Sequence, residues 1–313
     1  MTHEDTPVPG MVRYAHDFGL SPTPPNENDA RKMLSNWYGE EAIYADTVEL
    51  TPDGRSGLVR MIVRPEQCDR SNEPSFRGMI LGVGPRSILT ELRTTPAHAK
   101  GHFKDGLPSV LPGHKSIRAA VEAAGQLYNK FYVPDGNSGV PLRIRQFDSV
   151  IFKKVIRPGQ EIRVEFTLDD EATADWFKGK ATVRLGDEEA VVIEGLVCEL
   201  SSYEDDGLRE DQLIEAWAQA AGMAGLTGQQ QRGGVPLFES IGPTIFDTSS
   251  APIKPGETLI TEINIIERPK QGLIGTAFCV KMVDGKPVGV VASKNLKARI
   301  LTEKQARFIL RPR

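Results

Sequence analysis

The sequence predicts an α+β fold made of two similar repeats, each a long helix followed by an antiparallel sheet. Two long helix-forming segments each precede a run of extended segments, and the two halves share landmarks at one spacing. A helix next to an antiparallel meander is typical of a sheet that packs one helix on its face. The 313 residues, 39% of them hydrophobic, suffice for one large or two small cores.

An internal duplication is predicted by two pairs of matching segments. Residues 117–125 align with 214–222, 97 positions later, and both stretches end in Ala-Ala-Gly. The same offset, without a gap, aligns 156–159 with 253–256, and both end in Pro-Gly. Pro-Gly at the centre of a type II turn joins two antiparallel strands. Two landmarks at one spacing favour duplication over a chance likeness of helical alanines.

The predicted elements begin after a proline-rich arm with a short helix, residues 1–41. From residue 42 the pattern alternates as in strands, and 47–63 predict a hairpin. We assign 42–200 to the first repeat and 201–313 to the second. The second repeat begins at its helix, with no strands of its own before it. Either the extra extended segments before residue 92 serve both repeats, or the second repeat lacks these strands. The remaining predictions are helices at 115–131 and 209–225 and strands at 79–92, 144–155, 161–168, 180–185, 190–200, 258–266, 275–283 and 289–300.

Composition and charge argue against several classes of protein. The net charge of −4 and the lack of Lys/Arg runs predict no nucleic-acid partner. No stretch approaches the roughly 18 apolar residues that span a bilayer, and the polar beginning is unlike a secretory signal. Three scattered cysteines are too few for a disulfide framework. We therefore expect a cytoplasmic protein with reduced thiols and no membrane partner.

Three of the five histidines, His98, His102 and His114, are close in sequence. The spacing of the first two, with His114 as a third ligand, would suit zinc on a helix. However, no acidic ligand sits at helical spacing, and the surrounding proline and glycines disfavour a helix. We therefore expect no metal site. The alternative is one functional histidine, His102, at the end of a strand.

A resemblance to a known family rests on three motifs. Gly-His-Phe at 101–103, followed by Leu-Pro-Gly at 111–113 and a helix, resembles the signature of bacterial 3-hydroxyacyl-acyl-carrier-protein dehydratases of the FabA/FabZ type. In 213–219 a glutamate precedes a glutamine by four residues, which resembles that family's central helix, and the Pro-Gly turns resemble its Pro-Gly-Asp turn. A competing register exists, because 72–78 also resemble the stretch before the family's histidine and would put Met79 at its place.

The resemblance implies the hot-dog fold, in which a long central helix is wrapped by an antiparallel sheet. It also implies an active site between two hot dogs, with a histidine from one and an acid from its partner's helix. At the 97-residue offset, Arg118 stands where the second repeat has Glu215, and Glu199 stands where the first has His102. We therefore predict a double hot-dog, two tandem repeats forming a pseudo-dimer as in polyketide synthase dehydratase domains, with one composite site.

The implied reaction removes water from a 3-hydroxyacyl thioester and gives a trans-2-enoyl thioester. It needs a base for the Cα proton and an acid for the leaving hydroxyl. His102 is the implied base, and Glu215, on a buried helix, is expected to stay protonated as the acid. Gln219, one turn further on the same face, would orient Glu215. The backbone amide of Gly113, at the start of the first central helix, would donate a hydrogen bond to the thioester carbonyl. The predicted substrate-binding residues are Gly113, Phe103 and Trp217.

Other functions fit the same fold. Hot-dog proteins include thioesterases, double-bond isomerases and conjugate-addition enzymes, and a non-catalytic partner subunit would explain Arg118 and Glu199. We expect no cofactor; the phosphopantetheine of an acyl carrier protein or CoA would carry the acyl group in fatty acid or polyketide biosynthesis. A homodimer of double hot-dogs is compatible with the family. Four basic residues would either receive a carrier protein or form a solvated strand face: Arg143, Arg145, Lys153 and Lys154.

Overall fold

A computed structural model describes most of the chain from residue 44 onward. The predicted arm and short helix of residues 1–41 lie outside the described residues, as do His102 and Phe103. The described residues are 44, 46–50, 55–71, 73–100, 109–133, 142–173, 175–200, 207–227, 235–248, 252–269, 272–283 and 286–310.

The described residues form one sheet of 14 strands together with two long helices and smaller helical pieces. The strands are β1 (Thr47–Leu50), β2 (Ser56–Ile62), β3 (Met79–Gly84), β4 (Ser87–Arg93), β5 (Leu142–Phe147), β6 (Ser149–Phe152), β7 (Glu161–Ala172), β8 (Trp176–Leu185), β9 (Glu188–Leu200), β10 (Val235–Ile241), β11 (Thr244–Phe246), β12 (Thr258–Glu267), β13 (Gly272–Val283) and β14 (Lys286–Leu301). The helices are α1 (Pro65–Cys68), α2 (Gly113–Phe131), α3 (Glu210–Thr227) and α4 (Glu303–Leu310), with a 3₁₀ turn at Pro96–Ala99.

The strand order is symmetric about the centre of the sheet. It runs β1-β2-β12-β13-β14-β10 on one side and β3-β4-β7-β8-β9-β6 on the other. At the junction β10 pairs with β6, and β11 pairs with β5. Each half packs on one long helix, since α2 contacts β4, β7 and β8 while α3 contacts β12, β13 and β14. This is the double hot-dog that the sequence predicts.

The first hairpin of the chain belongs to the sheet of the second repeat. β2 pairs along its whole length with β12, whereas the next hairpin, β3 and β4, pairs with β7. The assignment of all of 42–200 to the first repeat is therefore corrected at its beginning. Of the two alternatives for the early strands, the structure supports the one in which they serve both repeats.

The two central helices begin at corresponding positions, Gly113 and Glu210. Their Ala-Ala-Gly stretches lie where each helix approaches a following strand. A Cβ added to Gly125 would lie 3.4 Å from Leu142 Cδ1, and one added to Gly222 would lie 3.0 Å from Pro236 Cγ. The missing side chains therefore let helix and strand come close in both repeats.

The two Pro-Gly landmarks are matching turns. Gly159 has a φ of 89° and Gly256 a φ of 86°, in the left-handed region where glycine escapes the Cβ clash. In each turn, the residue after the glycine donates its amide to the carbonyl oxygen of the residue before the proline, at 3.2 Å. Equal geometry at the predicted spacing confirms the duplication.

Besides the four-residue helix α1 and the 3₁₀ turn, three described elements have no predicted counterpart: β10, β11 and α4. β10 carries Pro236, β11 has three residues, and α4 has eight, so none shows a periodic pattern long enough to recognise. The strand predicted at 144–155 is two strands, β5 and β6. None of the described helices is long and apolar enough to cross a bilayer. Three buried cysteines are free thiols: Cys68, Cys198 and Cys279.

We expect Gly159→Ala and Gly256→Ala each to lower the free energy of unfolding by ~1–2 kcal/mol, because a Cβ is disfavoured at these φ angles. Urea unfolding of the purified variants measures the change. Gly82→Ala is the matched control, since an added Cβ there meets nothing within 4 Å. Equal stability of the control and the two turn variants would contradict the prediction.

Candidate active site

A buried histidine and a buried glutamate meet where the two central helices touch. His114 lies in the first turn of α2, and Glu215 lies in the second turn of α3. His114 Nδ1 is 2.9 Å from Glu215 Oε2, and the two side chains are only 6% and 9% exposed. Burial of ionisable groups is costly unless they are paired, so this hydrogen bond compensates the burial of both. Each repeat contributes one member of the pair.

A glutamine holds the other oxygen of the glutamate. Gln219 Nε2 donates to Glu215 Oε1 at 3.2 Å, and the backbone N–H of Tyr44 donates to Gln219 Oε1 at 3.0 Å. The two helix residues are four apart and therefore share a face of α3. Burial, and then the charge of Glu215, raise the pKa of the Tyr44 hydroxyl well above its usual range. The Glu215 carboxyl is thus fixed at both oxygens.

The pair lies in the wall of a cavity of about 1440 Å³. Ligand pockets are usually about 300–1000 Å³, so this cavity has room for an extended ligand. Its lining is mainly apolar, and its charged residues are of both signs, since Glu161, Glu188 and Glu239 lie in the wall with the basic residues. Apolar residues of the lining include Leu111, Phe152, Ile156, Ile214, Ala218 and Ile241, and the basic ones are Lys153, Lys154, Arg157 and Arg299.

Gly113 begins α2 in the same cavity wall. A Cβ added at this position would lie 2.8 Å from Phe152 Cε1, so only glycine fits without a shift of that ring. The first amides of a helix have no acceptor within the helix and carry partial positive charge. The start of α2 therefore offers hydrogen-bond donors beside the His114–Glu215 pair.

The corresponding position of the other repeat holds different groups. Asp211 stands 97 residues after His114, and Arg118 stands 97 residues before Glu215. Arg118 Nη2 lies 2.6 Å from Glu122 Oε1, the same i, i+4 relation that joins the glutamate and glutamine of α3. The described residues therefore contain the histidine–glutamate pair at one of the two equivalent positions.

Ion pairs fill this second position, and we call Glu73, Lys115, Arg209 and Asp211 the ion cluster. Arg209 Nε donates to Asp211 Oδ1 at 2.9 Å, and Arg209 Nη1 donates to Glu73 Oε2 at 2.5 Å. Lys115 also donates to Glu73. Burial alone would raise the pKa of Asp211, but the charges of Arg209, Arg118 and Lys115 hold it well below its usual range. Asp211 is thus a fixed negative charge at neutral pH.

The structure brings together three of the predicted site residues, Gly113, Glu215 and Gln219, but not Trp217. Trp217 is 1% exposed and is not among the described residues that line the cavity. Two residues along a helix turn a side chain about 200° away, so Trp217 faces the core when Glu215 faces the cavity. Its assignment to substrate binding is corrected. The roles of His102 and Phe103 stay predictions, because both lie outside the described residues.

His114 entered the sequence argument only as a zinc ligand. A signal for its importance was present, because it directly follows Pro-Gly at the start of a central helix, and its counterpart Asp211 is also ionisable. His98 is held elsewhere: its Nδ1 lies 2.8 Å from Thr95 Oγ1, and its Nε2 lies 3.1 Å from the Ser75 carbonyl oxygen. Within the described ranges, no group of three or more His, Cys, Asp or Glu side chains could hold a metal ion.

Solvent exposure bears on two further expectations, the competing register at Met79 and the four basic residues. Met79, the residue favoured by the competing register, begins the edge strand β3 and is 65% exposed, away from the described lining of the cavity. Arg143 is buried, with Nη1 3.2 Å from the Thr248 carbonyl oxygen and 3.7 Å from Glu210 Oε1, so it is unsuited to receive a carrier protein. The other three basic residues pair with glutamates nearer the surface: Arg145 with Glu199, Lys153 with Glu189 and Lys154 with Glu188.

Curated relatives of this chain are FabZ dehydratases. No protein-family model matches the sequence. The 3-hydroxyacyl-[acyl-carrier-protein] dehydratase FabZ of Methylobacterium radiotolerans is 32% identical over 84 residues, 26% of this chain and 52% of the relative. FabZ of Magnetococcus marinus is 33% identical over 87 residues, 28% of this chain and 55% of the relative. The match thus spans about half the length of these relatives, and it confirms the resemblance that the motifs indicate.

Solved structures of similar shape include dehydratases and thioesterases. The dehydratase domain of PpsC from Mycobacterium tuberculosis, solved with C12:1-CoA, is 11% identical with a TM-score of 0.42, covering 74% of this chain and 100% of that one. An acyl-ACP thioesterase from Bacteroides thetaiotaomicron is 8% identical with a TM-score of 0.48, covering 67% of this chain and 97% of that one.

We expect Glu73→Gln to destabilise the protein at neutral pH by roughly 1–2 kcal/mol, less than for a fully buried ion pair because solvent screens this partly buried carboxylate. Burial opposes ionisation of Glu73, but the hydrogen bond from Arg209 and the charge of Lys115 outweigh it and lower its pKa from 4.5 to about 2. Ionised Glu73 therefore stabilises the fold above about pH 4.5, and this contribution is lost as the pH falls towards 2.

Denaturant unfolding at neutral pH and at steps between pH 4.5 and 2 measures this difference. The gap between wild type and Glu73→Gln should narrow as the pH falls. Glu66→Gln, at an exposed carboxylate of the neighbouring helix α1, is the control and should leave stability nearly unchanged. A gap that stays constant with pH would show that the ion cluster does not depend on the Glu73 charge.

Proposed function

We propose that this double hot-dog chain, which resembles the FabZ-type dehydratases, removes water from a 3-hydroxyacyl thioester and releases the trans-2-enoyl thioester. The observation that carries the proposal is the buried His114–Glu215 pair in the wall of a large, mainly apolar cavity. An acyl chain suits apolar walls, and a buried carboxyl with a histidine beside it suits donation of a proton to the leaving hydroxyl.

The proposed reaction moves one proton to the leaving hydroxyl and takes one from Cα. Glu215 gives the proton to the hydroxyl, which departs as water. His102, the residue that matches the family motif, takes the proton from Cα. After each turnover His102 returns its proton to water, and Glu215 must regain one. His114 is suited to pass a proton from water in the cavity to Glu215 along the 2.9 Å contact between Nδ1 and Oε2. His114 is thus a positioning and proton-supplying residue for Glu215.

The remaining groups bind and orient the substrate. Gln219 holds Glu215 Oε1, which leaves Oε2 as the oxygen that exchanges protons. The amide at Gly113 is suited to stabilise the negative charge that develops on the thioester oxygen when the Cα proton leaves. Phosphopantetheine of CoA or of an acyl carrier protein holds the acyl group, and the proposed chemistry needs no metal or redox cofactor.

Hydration of trans-2-enoyl-CoA, the reverse reaction, tests the proposal. We expect wild-type protein to consume the enoyl thioester and Glu215→Gln to lower kcat by ~10²–10⁴-fold, because the amide cannot transfer the proton. His102→Ala should cause a loss of similar size. Absorbance of the enoyl thioester gives the rate, and mass spectrometry shows the gain of one water in the acyl group.

The matched control is Glu122→Gln, the same carboxylate-to-amide change on the central helix of the first repeat. Glu122 pairs with Arg118 outside the cavity lining, so this variant should keep wild-type activity. Full activity in Glu215→Gln would contradict the proposal. Release of free acid instead of a hydrated thioester would identify a thioesterase.

We expect His114→Ala to lower kcat by ~10–100-fold with little change in KM, because Glu215 loses its proton source but not its contact with substrate. Added imidazole should restore part of the rate by occupying the vacated space. Thermal stability should fall in either case, because Glu215 loses its buried partner, so the rescue decides. A purely structural role for His114 would show no rescue of kcat by imidazole.

A further inference from the structure

Helix α4 lies outside the two-fold pattern of the fold. In the first repeat, β9 leads to α3, the central helix of the other repeat, whereas β14 leads to α4 at the end of the described chain. Two of its side chains, Ala306 and Leu310, are buried in a small apolar cluster with Val110 and Leu301. The helix is therefore a docked element with no counterpart among the described residues of the first repeat.

An arginine holds the C-terminal end of this helix. Arg157 Nη2 donates to the Ile309 carbonyl oxygen at 3.2 Å, and Arg157 Nε donates to the Leu310 carbonyl oxygen at 3.4 Å. The last carbonyls of a helix lack partners within the helix and carry partial negative charge, so a guanidinium suits this position. Arg157 precedes the Pro158-Gly159 turn, whose left-handed glycine is a fixed point of the first repeat.

The same helix forms part of the cavity wall. Ile309 lines the cavity that contains the His114–Glu215 pair, while its neighbour Phe308 is 74% exposed. Val110, which packs against α4, is four residues from His114, so their Cα atoms are at most about 14 Å apart. Ile309 packs against the cluster that contains Val110, and both line the same cavity as His114, so a long chain bound in this cavity can contact Ile309.

We propose that α4 closes one side of the acyl-binding cavity and that Ile309 determines the length of acyl chain that fits. The inference rests on the proposed function for the class of ligand, an acyl thioester. Its own basis is separate: the clamp by Arg157, the apolar docking of Ala306 and Leu310, and the position of Ile309 in the cavity wall.

Two opposite substitutions test the proposal. Ile309→Ala enlarges the cavity and should raise the ratio of kcat/KM for trans-2-dodecenoyl-CoA to that for crotonyl-CoA by ~10-fold. Ile309→Trp fills the cavity and should lower that ratio by ~10-fold, since one methylene in an apolar pocket changes the rate by about 10–200-fold. Phe308→Ala, a change of similar size one residue away on the exposed face, should leave the ratio at its wild-type value.

A binding measurement separates this proposal from the proposed reaction. Calorimetry with saturated butyl and dodecyl thioethers of CoA, which cannot react, should show the same ordering of affinities among the variants. If wild type hydrates no enoyl thioester but the affinities follow this order, the proposed reaction fails and the role of Ile309 stands. If the chain-length preference of both Ile309 variants equals that of Phe308→Ala in binding, the role of Ile309 is overturned, whatever the activity.

Folding is the control for both Ile309 variants. Thermal unfolding should show the melting temperature of each within a few degrees of Phe308→Ala, because Ile309 is only partly buried. If Ile309→Trp unfolds, Ile309→Ala alone carries the test. A preference that moves towards shorter chains in Ile309→Ala would overturn the proposal.

Discussion

The contact between the first two turns of the central helices is the interaction on which the site depends. Because α2 and α3 meet there, a side chain from each repeat enters the same buried volume, and His114 reaches Glu215. The junction strands hold both repeats in one sheet, since β10 pairs with β6 and β11 with β5. Neither helix can shift without disturbing this junction, and neither repeat contains the pair alone.

The repeated elements could be predicted from sequence because their causes are local. A Pro-Gly turn needs a glycine in the left-handed region, and a helix close to a strand needs a small residue. Gly159 and Gly125 meet these needs in the first repeat, and the second repeat has a glycine at both corresponding positions. The partner of the first hairpin has no such local cause. β2 could extend either half of the sheet, and it pairs with β12 only because the two complete sheets leave that edge open.

The residues of the candidate site also differ in whether local sequence predicts their contacts. Glu215 and Gln219 are four residues apart on one helix, so their shared face follows from helical geometry. His114 meets Glu215 across 101 residues of chain, and that contact exists only after the two repeats pack. Trp217 shows the converse, because nearness in sequence to Glu215 places it on the opposite side of the helix, in the core.

Fusion of two repeats in one chain explains why the two equivalent positions differ. A dimer of identical subunits would bury the same groups twice, whereas two repeats of one chain can change separately. At one position, His114 Nδ1 and Glu215 Oε2 share a hydrogen bond. At the other, Arg209 and Arg118 keep Asp211 ionised, and a carboxylate held this far below its usual pKa takes up no proton at neutral pH. The second position therefore uses the buried contact between the helices for ion pairs, and the pair between Arg209 and Glu73 joins the two repeats.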